Sequence, residues 1–314
     1  MIVAACPMTR ETHQLEQLEQ AGAAAAVMYS LFAEQVQRDA LGHIGTQTDG
    51  PADITSPMPL DYVGGLDDYL KHIELAKKAV SMPIIASLNG SQVGEWIRFA
   101  GLMEQAGADA LELNVYFVPV DPNVTGSQVE QQYFEIVAAV REQVNIPLCV
   151  KLGPFFSSMP NMAVSLQKLG IDGLVLFNRF LQPDIDISTF EVSPRLTLSG
   201  REALRLPLRW IAILRTHLTL SLASSSGAHC ADDVIKLLLA GADVVSMASA
   251  LLRNGPRYLT TVIDELSAWM EEKEFKSINE IRGLVRQRPG FNPAVFERSN
   301  YIQSIISYDD DAQR

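Results

Sequence analysis

The sequence predicts an α/β fold in which a parallel sheet closes on itself, with a helix after each strand. Three observations carry this reading. First, one junction recurs four times: Gln20-Ala-Gly-Ala-Ala-Ala-Ala-Val-Met28, Gln105-Ala-Gly-Ala-Asp-Ala-Leu-Glu-Leu113, Leu169-Gly-Ile-Asp-Gly-Leu-Val-Leu176 and Leu239-Ala-Gly-Ala-Asp-Val-Val-Ser-Met247. Each is a helix end, a glycine suited to the left-handed C-cap, and a run of buried strand residues. Second, a different junction leads into other apolar strands, in Ser81-Met-Pro-Ile-Ile-Ala-Ser87 and Asn145-Ile-Pro-Leu-Cys-Val-Lys151. Repeated return from helix to apolar strand builds a parallel sheet. Third, about eight evenly spaced strand–helix units favour closure into a TIM (β/α)8 barrel over an open, doubly wound sheet.

The elements follow in order. Residues 2–5 read as the first strand, and 11–21 as a polar helix with Leu15 and Leu18 on one face. Strand two is 25–31. Residues 33–65 lack periodicity and read as a long loop at a strand's C-terminal end. A helix spans 66–80, with Leu66, Leu70, Ile73 and Ala76 on one face. Strand three is 83–89, followed by a helix over 95–106. Strand four is 110–115, then a proline-broken loop to 126 and a helix to 143. Strand five is 147–152 with its helix at 161–169. Strand six is 173–178, followed by an irregular excursion to 200. A helix at 203–216, strand seven at 219–224 and a helix at 231–240 come next. Strand eight is 243–248, closed by a helix at 255–272. Residues 1–275 thus read as a single barrel domain, and 276–314 as a C-terminal helix near 277–287 and a polar, acid-ended tail. Strand one begins at residue 2 with nothing before it to close the barrel floor, so residues upstream of Met1 are expected in the native protein.

Composition narrows the class. The 314 residues are 47% hydrophobic and 20% charged, which suits a soluble globular chain with a core large enough to need no staples. A formal net charge of −12 argues against nucleic acid, whose backbone attracts a basic surface. No apolar run reaches the roughly 20 residues of a membrane span, and the start lacks a signal peptide's pattern. Cys6, Cys149 and Cys230 form no disulfide framework or ligand spacing, and the five histidines show no paired spacing, so no metal is predicted. A cytoplasmic enzyme acting on a small molecule is the expectation.

In a barrel of this kind chemistry gathers at the C-terminal ends of the strands. Ser224-Ser-Ser-Gly-Ala228 ends strand seven and Met247-Ala-Ser249 ends strand eight; such small residues let backbone N–H groups approach an anion, so these two turns are the predicted phosphate grip. Lys151 lies within an otherwise apolar strand, where an amine needs a purpose. It could hold negative charge on a cofactor, form a Schiff base with a carbonyl substrate, or simply pack its stem with the amine in water. Asn114 and Asn178 end strands four and six and should share a wall with Lys151. Their mixed donors and acceptors suit the edge of a heterocycle. Glu112 shares a face with Asn114 and could pair with Lys151. Arg179 suggests an anionic substrate, or alternatively a bridge to the acids of 184–191. Cys6 could face the mouth or serve as a small buried hydrophobe. His229 reads as a surface residue at a helix start.

The ordered set Glu112-Leu-Asn-Val, Val150-Lys-Leu-Gly-Pro, Val175-Leu-Phe-Asn, Leu198-Ser-Gly200, Ser225-Ser-Gly227 and Ala248-Ser-Ala-Leu251 resembles the dihydroorotate dehydrogenase family, class 1 in particular, over about residues 2–285. The resemblance implies a barrel that binds FMN and passes a hydride from dihydroorotate, or a related small anion, to it, as in pyrimidine biosynthesis. It implies that Lys151, Asn114 and Asn178 are the catalytic set, with Lys151 near flavin N1 and the asparagines facing flavin and substrate. Ala4 and Ala5 would lie under the ring, Ser30 beside it, and Ser199 and Gly200 near the ribityl chain. Ser225, Ser226, Gly227, Ala248 and Ser249 would hold the phosphate. It also implies a homodimer, with a redox partner protein as a further expectation. The chain departs from the family pattern around the substrate. Phe117 stands where the family has a Cys or Ser base, and Tyr29 where it has a lysine. Arg179 replaces a Ser or Thr, Val118-Pro-Val-Asp-Pro122 replaces an asparagine-rich stretch, and the Pro57–Leu60 region offers no substrate amides. Tyr29 and Arg179 are therefore the residues expected to meet whatever substrate this chain takes. Two other functions stay open at this point: a Schiff-base lyase using Lys151, and a non-catalytic FMN-binding partner in a redox assembly.

Overall fold

A computed structural model describes residues 1–34, 65–91, 93–193, 196–287 and 293–307. Its central sheet runs β1 (Ile2–Val3), β2 (Ala26–Val27), β3 (Leu31–Phe32), β4 (Ile84–Gly90), β5 (Ala110–Val115), β6 (Leu148–Leu152), β7 (Gly173–Leu176), β10 (Ser221–Ser224) and β11 (Val244–Met247). Every pairing in it is parallel. The order β2-β1-β11-β10-β7-β6-β5-β4 closes through a β2–β4 pairing, and β3 prolongs the β2 edge along β4. The eight predicted strands therefore form a closed TIM barrel. Strands one and two are shorter than expected, but Ala4 N donates to Met247 O and Met28 N to Ile85 O, so the ladder continues past both.

The helices α1 (Thr12–Gln20), α2 (Leu66–Ala79), α3 (Arg98–Gln105), α4 (Gly126–Arg141), α5 (Met159–Lys168), α6 (Arg205–Leu214), α7 (Ala231–Ala240), α8 (Ser249–Asn254) and α9 (Tyr258–Glu272) surround the barrel. Each places apolar residues against the strands, such as Leu15 and Leu18 of α1 and Tyr69, Ile73 and Ala76 of α2. Helix α4 starts at a capping box: Gln128 N donates to Thr125 Oγ1 at 3.3 Å and Thr125 N to Gln128 Oε1 at 2.8 Å. None of the described helices is long and apolar enough to cross a membrane.

The recurring junctions have a common structure. Gly22, Gly107, Gly170 and Gly241 all have positive φ, between 80° and 119°, the conformation that lets the chain leave a helix and turn into a strand. Two residues after three of these glycines stands an aspartate. Asp109 accepts from Ile84 N and pairs with Lys77, both at 2.7 Å. Asp172 accepts from Leu148 N at 2.8 Å and pairs with Arg141 at 3.1 Å. Asp243 accepts from Leu222 N at 2.8 Å and pairs with Arg215 and Arg282, each at 2.7 Å. Three residues before three of the glycines stands a second clamp. Glu19 accepts from Ser81 N and Met82 N, Glu104 from Asn145 N, and Gln167 from Thr219 N and Leu220 N. The barrel floor is thus a ring of side-chain acceptors that satisfies the backbone donors at strand entrances.

Three expectations are corrected. The excursion after strand seven's predecessor is not wholly irregular: β8 (Asp184–Asp186) and β9 (Glu191–Ser193) form an antiparallel hairpin, with Ile185 opposite Val192. The expected helix at 277–287 is a single turn, α10 (Ile278–Ile281), because the chain turns at Gly283 with φ of 76°. The tail carries a helix of its own, α11 (Pro293–Ile306), tied to α6 by an Arg209–Glu297 ion pair and exposing Tyr301. The 33–65 loop, apart from its ends, lies outside the described residues, and Pro57–Leu60 with it.

Candidate active site

At the C-terminal ends of the strands lies a cavity of about 200 Å³. It is smaller than the roughly 300–1,000 Å³ of typical ligand pockets, but it opens on one side, so a larger ligand would extend into the mouth. Ala4, Ala5, Lys151, Asn178, Arg179, Ser199, Ser225, Ser226, Gly227, Ala248 and Ser249 all line it. These are eleven of the predicted positions, contributed by segments far apart in the chain, because adjacent parallel strands end at one level.

Lys151 is buried at the end of β6, and its Nζ lies 3.3 Å from Glu112 Oε1 on β5. The ion pair weighed from sequence is present. Arg179 is half-buried beside it and forms no ion pair among the described residues, so it does not bridge to the acids of 184–191. Among the described residues no acidic side chain lines the cavity, although the chain as a whole is strongly anionic. The lining therefore favours a negatively charged ligand.

The turn after β10 has the form of an anion cradle. Ser226 and Gly227 both have positive φ, 80° and 83°. A Cβ on Gly227 would stand 2.2 Å from the backbone nitrogen of Leu204, so only glycine lets the two chain segments approach. The N–H groups of Ser226, Gly227 and Ala228 donate to no acceptor among the described residues. Unpaired backbone donors beside a cavity call for an external acceptor. Ser199 and Ser249 meet at 2.9 Å between hydroxyls, and Arg253 donates to Leu198 O, which ties the 198–200 segment over the start of α8.

Asn114 stands opposite Lys151 in the ladder between β5 and β6, on the wall the sequence predicts. Asn114 is buried but does not line the cavity; its Nδ2 reaches Ser87 Oγ at 3.3 Å and Ser30 Oγ at 3.4 Å, and the two hydroxyls are 2.8 Å apart. Asn114 Oδ1 is buried with no partner among the described residues. Gly200 N donates to Glu202 Oε1 at 3.2 Å. Tyr29 packs edge-on against Tyr69 and near His72, with Arg10 over its face. Phe117 packs on Tyr133, whose hydroxyl is pushed up to about 12 by burial, and Tyr133 meets Phe156. Cys6 satisfies both of its readings: it lines the cavity and is buried, and burial pushes its thiol up, so it stays protonated at neutral pH. His229, read as a surface residue, is instead half-buried at the start of α7: Asp233 accepts its backbone N–H at 3.0 Å, and its Nε2 has no partner among the described residues.

Sequence reasoning missed two residues. Ser87 links Ser30 to Asn114, and Ser246 lines the cavity from inside β11. Each is a polar residue alternating into an apolar strand, the same signal that marked Lys151.

A parallel barrel whose mouth gathers two cations, an amide and free backbone donors defines the class of barrel enzymes that hold an anionic ligand over their strand ends. The sequence model of the dihydroorotate dehydrogenase family matches residues 56–270. The chain belongs to that family, whose named members are oxidoreductases acting on CH–CH donors. It is 30% identical to the catalytic subunit of dihydroorotate dehydrogenase B (NAD(+)) of Halalkalibacterium halodurans, over 70% of this chain and 73% of that one. The like-named subunit of Anoxybacillus flavithermus is 31% identical, over 69% and 71% of the two chains. That of Methanothermobacter thermautotrophicus is 27% identical, over 70% and 74%.

Proposed function

We propose that this protein is an FMN-dependent oxidoreductase acting on dihydroorotate or a related small anionic substrate. The observation that carries the reading is the lining of one cavity by Lys151, Asn178, Arg179 and the unpaired N–H groups of residues 226–228. The donor set fits the cofactor: a cradle of backbone donors for a phosphate, small residues Ala4 and Ala5 against a flat ring, and a cation and an amide for the ring's polar edge. In this reading Ser225–Gly227, Ala248 and Ser249 hold the phosphate, Ser199 the ribityl chain, and Lys151 and Asn178 the ring. Asn114, with its unpartnered Oδ1, and Ser30 meet the ring or substrate from the neighbouring wall. Gly200 would contribute through its carbonyl, its N–H being taken by Glu202. When bound, FMN supplies the hydride acceptor. The chain's own residues bind and orient the ligands, and Arg179 draws the substrate's negative charge. Tyr29 is the more distant substrate contact. The protein acts in the cytoplasm, as a homodimer that can take a redox partner.

The Glu112–Lys151 pair weighs against a Schiff-base lyase, which needs a free neutral amine. Phe117 favours a second reading. Oxidising a C–C bond needs an acceptor for one proton, and the position of the family's base is occupied by a ring packed on Tyr133. A flavin-binding partner that hands electrons within an assembly would need no such base.

The test is an anaerobic absorbance spectrum of the purified protein with added FMN, before and after dihydroorotate. A flavin spectrum that Lys151→Ala weakens supports the proposal, and bleaching by dihydroorotate supports the enzyme over the partner. A protein that takes up no FMN rules both out.

A further inference from the structure

We infer that Glu112 is a positioning residue: it acts through Lys151, holding that amine in place at the cavity edge. The inference rests on the flavin reading above and extends it to a residue that does not itself line the cavity. Glu112 and Lys151 stand on adjacent strands, but not opposite each other. The register pairs Glu112 with Cys149 and Asn114 with Lys151. Lys151 lines the cavity and Glu112 does not, so the carboxylate sits one inward-facing layer beneath the amine it binds. Both residues are buried, with 3% of Glu112 and 8% of Lys151 exposed.

A buried ammonium without a counter-charge is costly, and the usual outcome is loss of the proton or withdrawal of the side chain toward water. Glu112 is the only carboxylate within ion-pair distance of Lys151 among the described residues. The other cation of the cavity, Arg179, needs no such support, because a guanidinium keeps its charge and Arg179 is half-exposed. Cys149 shares the interior with Glu112, and its thiol is pushed up to about 12 by burial and by that carboxylate. It therefore offers Lys151 no second anion. The geometry gives each residue of the pair a different task. Lys151 touches the ligand, and Glu112 makes a lysine possible at that depth.

The test measures FMN affinity and the midpoint potential of bound flavin in wild type, E112Q, E112D, K151M and the E112Q/K151M double variant, with folding followed by circular dichroism. E112Q should weaken FMN binding by about tenfold or more, equivalent to roughly 1.4 kcal/mol. It should also lower the potential, in the same direction as K151M, because a cation beside the ring favours its reduced, negative form. E112D, which keeps the charge one methylene back, should recover most of both, and it serves alone if E112Q does not fold. In the K151M background, E112Q should change neither quantity. Equal losses from E112Q with and without Lys151 would reduce Glu112 to fold support and overturn the inference. A potential that rises in E112Q would mean that Lys151 stays in place unaided, and would also overturn it. Both results leave the flavin reading intact. Wild type that takes up no FMN overturns the reading and this inference together.

Discussion

The two ends of the barrel use the same kinds of polar residue in opposite ways. At the floor, Asp109, Asp172 and Asp243 each bind a backbone N–H and at least one cation, and Glu19, Glu104 and Gln167 cap further strand entrances. Little is left over. At the mouth, the N–H groups of 226–228, Asn114 Oδ1, Ser224 Oγ and the guanidinium of Arg179 have no partner among the described residues. Buried polar groups left unpaired cost stability, so a fold retains them only where something else binds. The difference teaches where stability and function reside: saturated acceptors close the floor, and unsatisfied groups open the mouth to a ligand.

The comparison breaks most readily at Asp243. Asp243→Ala would strand Arg215, itself mostly buried, and leave Leu222 N without its acceptor. We expect a loss of about 3 kcal/mol, seen as a lower urea midpoint. FMN affinity of the folded fraction should stay unchanged; a parallel loss of affinity would mean that floor and mouth are not separable. Gly227→Ala tests the other end. The added Cβ meets Leu204 N in a conformation that alanine adopts at a cost of about 1–2 kcal/mol. The turn must shift, and FMN affinity should fall by at least about tenfold. Isothermal titration with FMN distinguishes this from an indifferent turn.

The floor and the fold were more legible in the sequence than the mouth. The junction glycines announce the helix-to-strand returns directly, because few other residues leave a helix with positive φ. The aspartates two residues on were visible too, as a Gly-x-Asp repeat, though their role as clamps needs the third dimension. Lys151 is legible because a polar residue in an apolar strand needs a reason, and Asn178 because it ends the neighbouring strand; Ser87 and Ser246 carry the signal of Lys151 more faintly. A serine is small enough to pass as a packing residue, whereas a lysine is not. The contacts of Asn114 with Ser30 and Ser87 are not legible in the sequence. Strand alternation gives the face a residue points to, but not which neighbour its amide finds. The 184–193 hairpin is not legible because its strands are three residues each and all but Ser193 are exposed, so neither carries a buried pattern.

Arg179 sharpens the comparison from the substrate side. Among the described residues it is a cation at the mouth without the carboxylate partner that every floor aspartate gives its lysine or arginine. Arg179→Gln should weaken binding of orotate, used as a carboxylate probe, by about tenfold, the scale of one lost charge-assisted contact. FMN affinity should hold. A fall in FMN affinity with no change for orotate would move Arg179 from the substrate to the cofactor phosphate.

The smallest effect is expected at Asp233, which belongs to the mouth by position and to the floor by behaviour. It follows the phosphate-grip turn, yet it is saturated: Arg201 donates from Nε and Nη2, His229 from its backbone N–H and Cys230 from its thiol. Burial raises its carboxyl, but these donors and the Arg201 charge outweigh that and hold it below the usual carboxylate range. A depressed carboxyl stabilises the fold above its unfolded value near about 3.9, and that stabilisation is lost as the pH falls through the lower folded value. Asp233→Asn should therefore melt earlier than wild type at pH 7, by an amount near 1 kcal/mol because Arg201 is largely in water. The two melting curves should converge as the pH drops below about 4. A gap that persists in acid would show that Asp233 matters here for its shape, and that saturation at the mouth does not confer the charge-based stability expected at the floor.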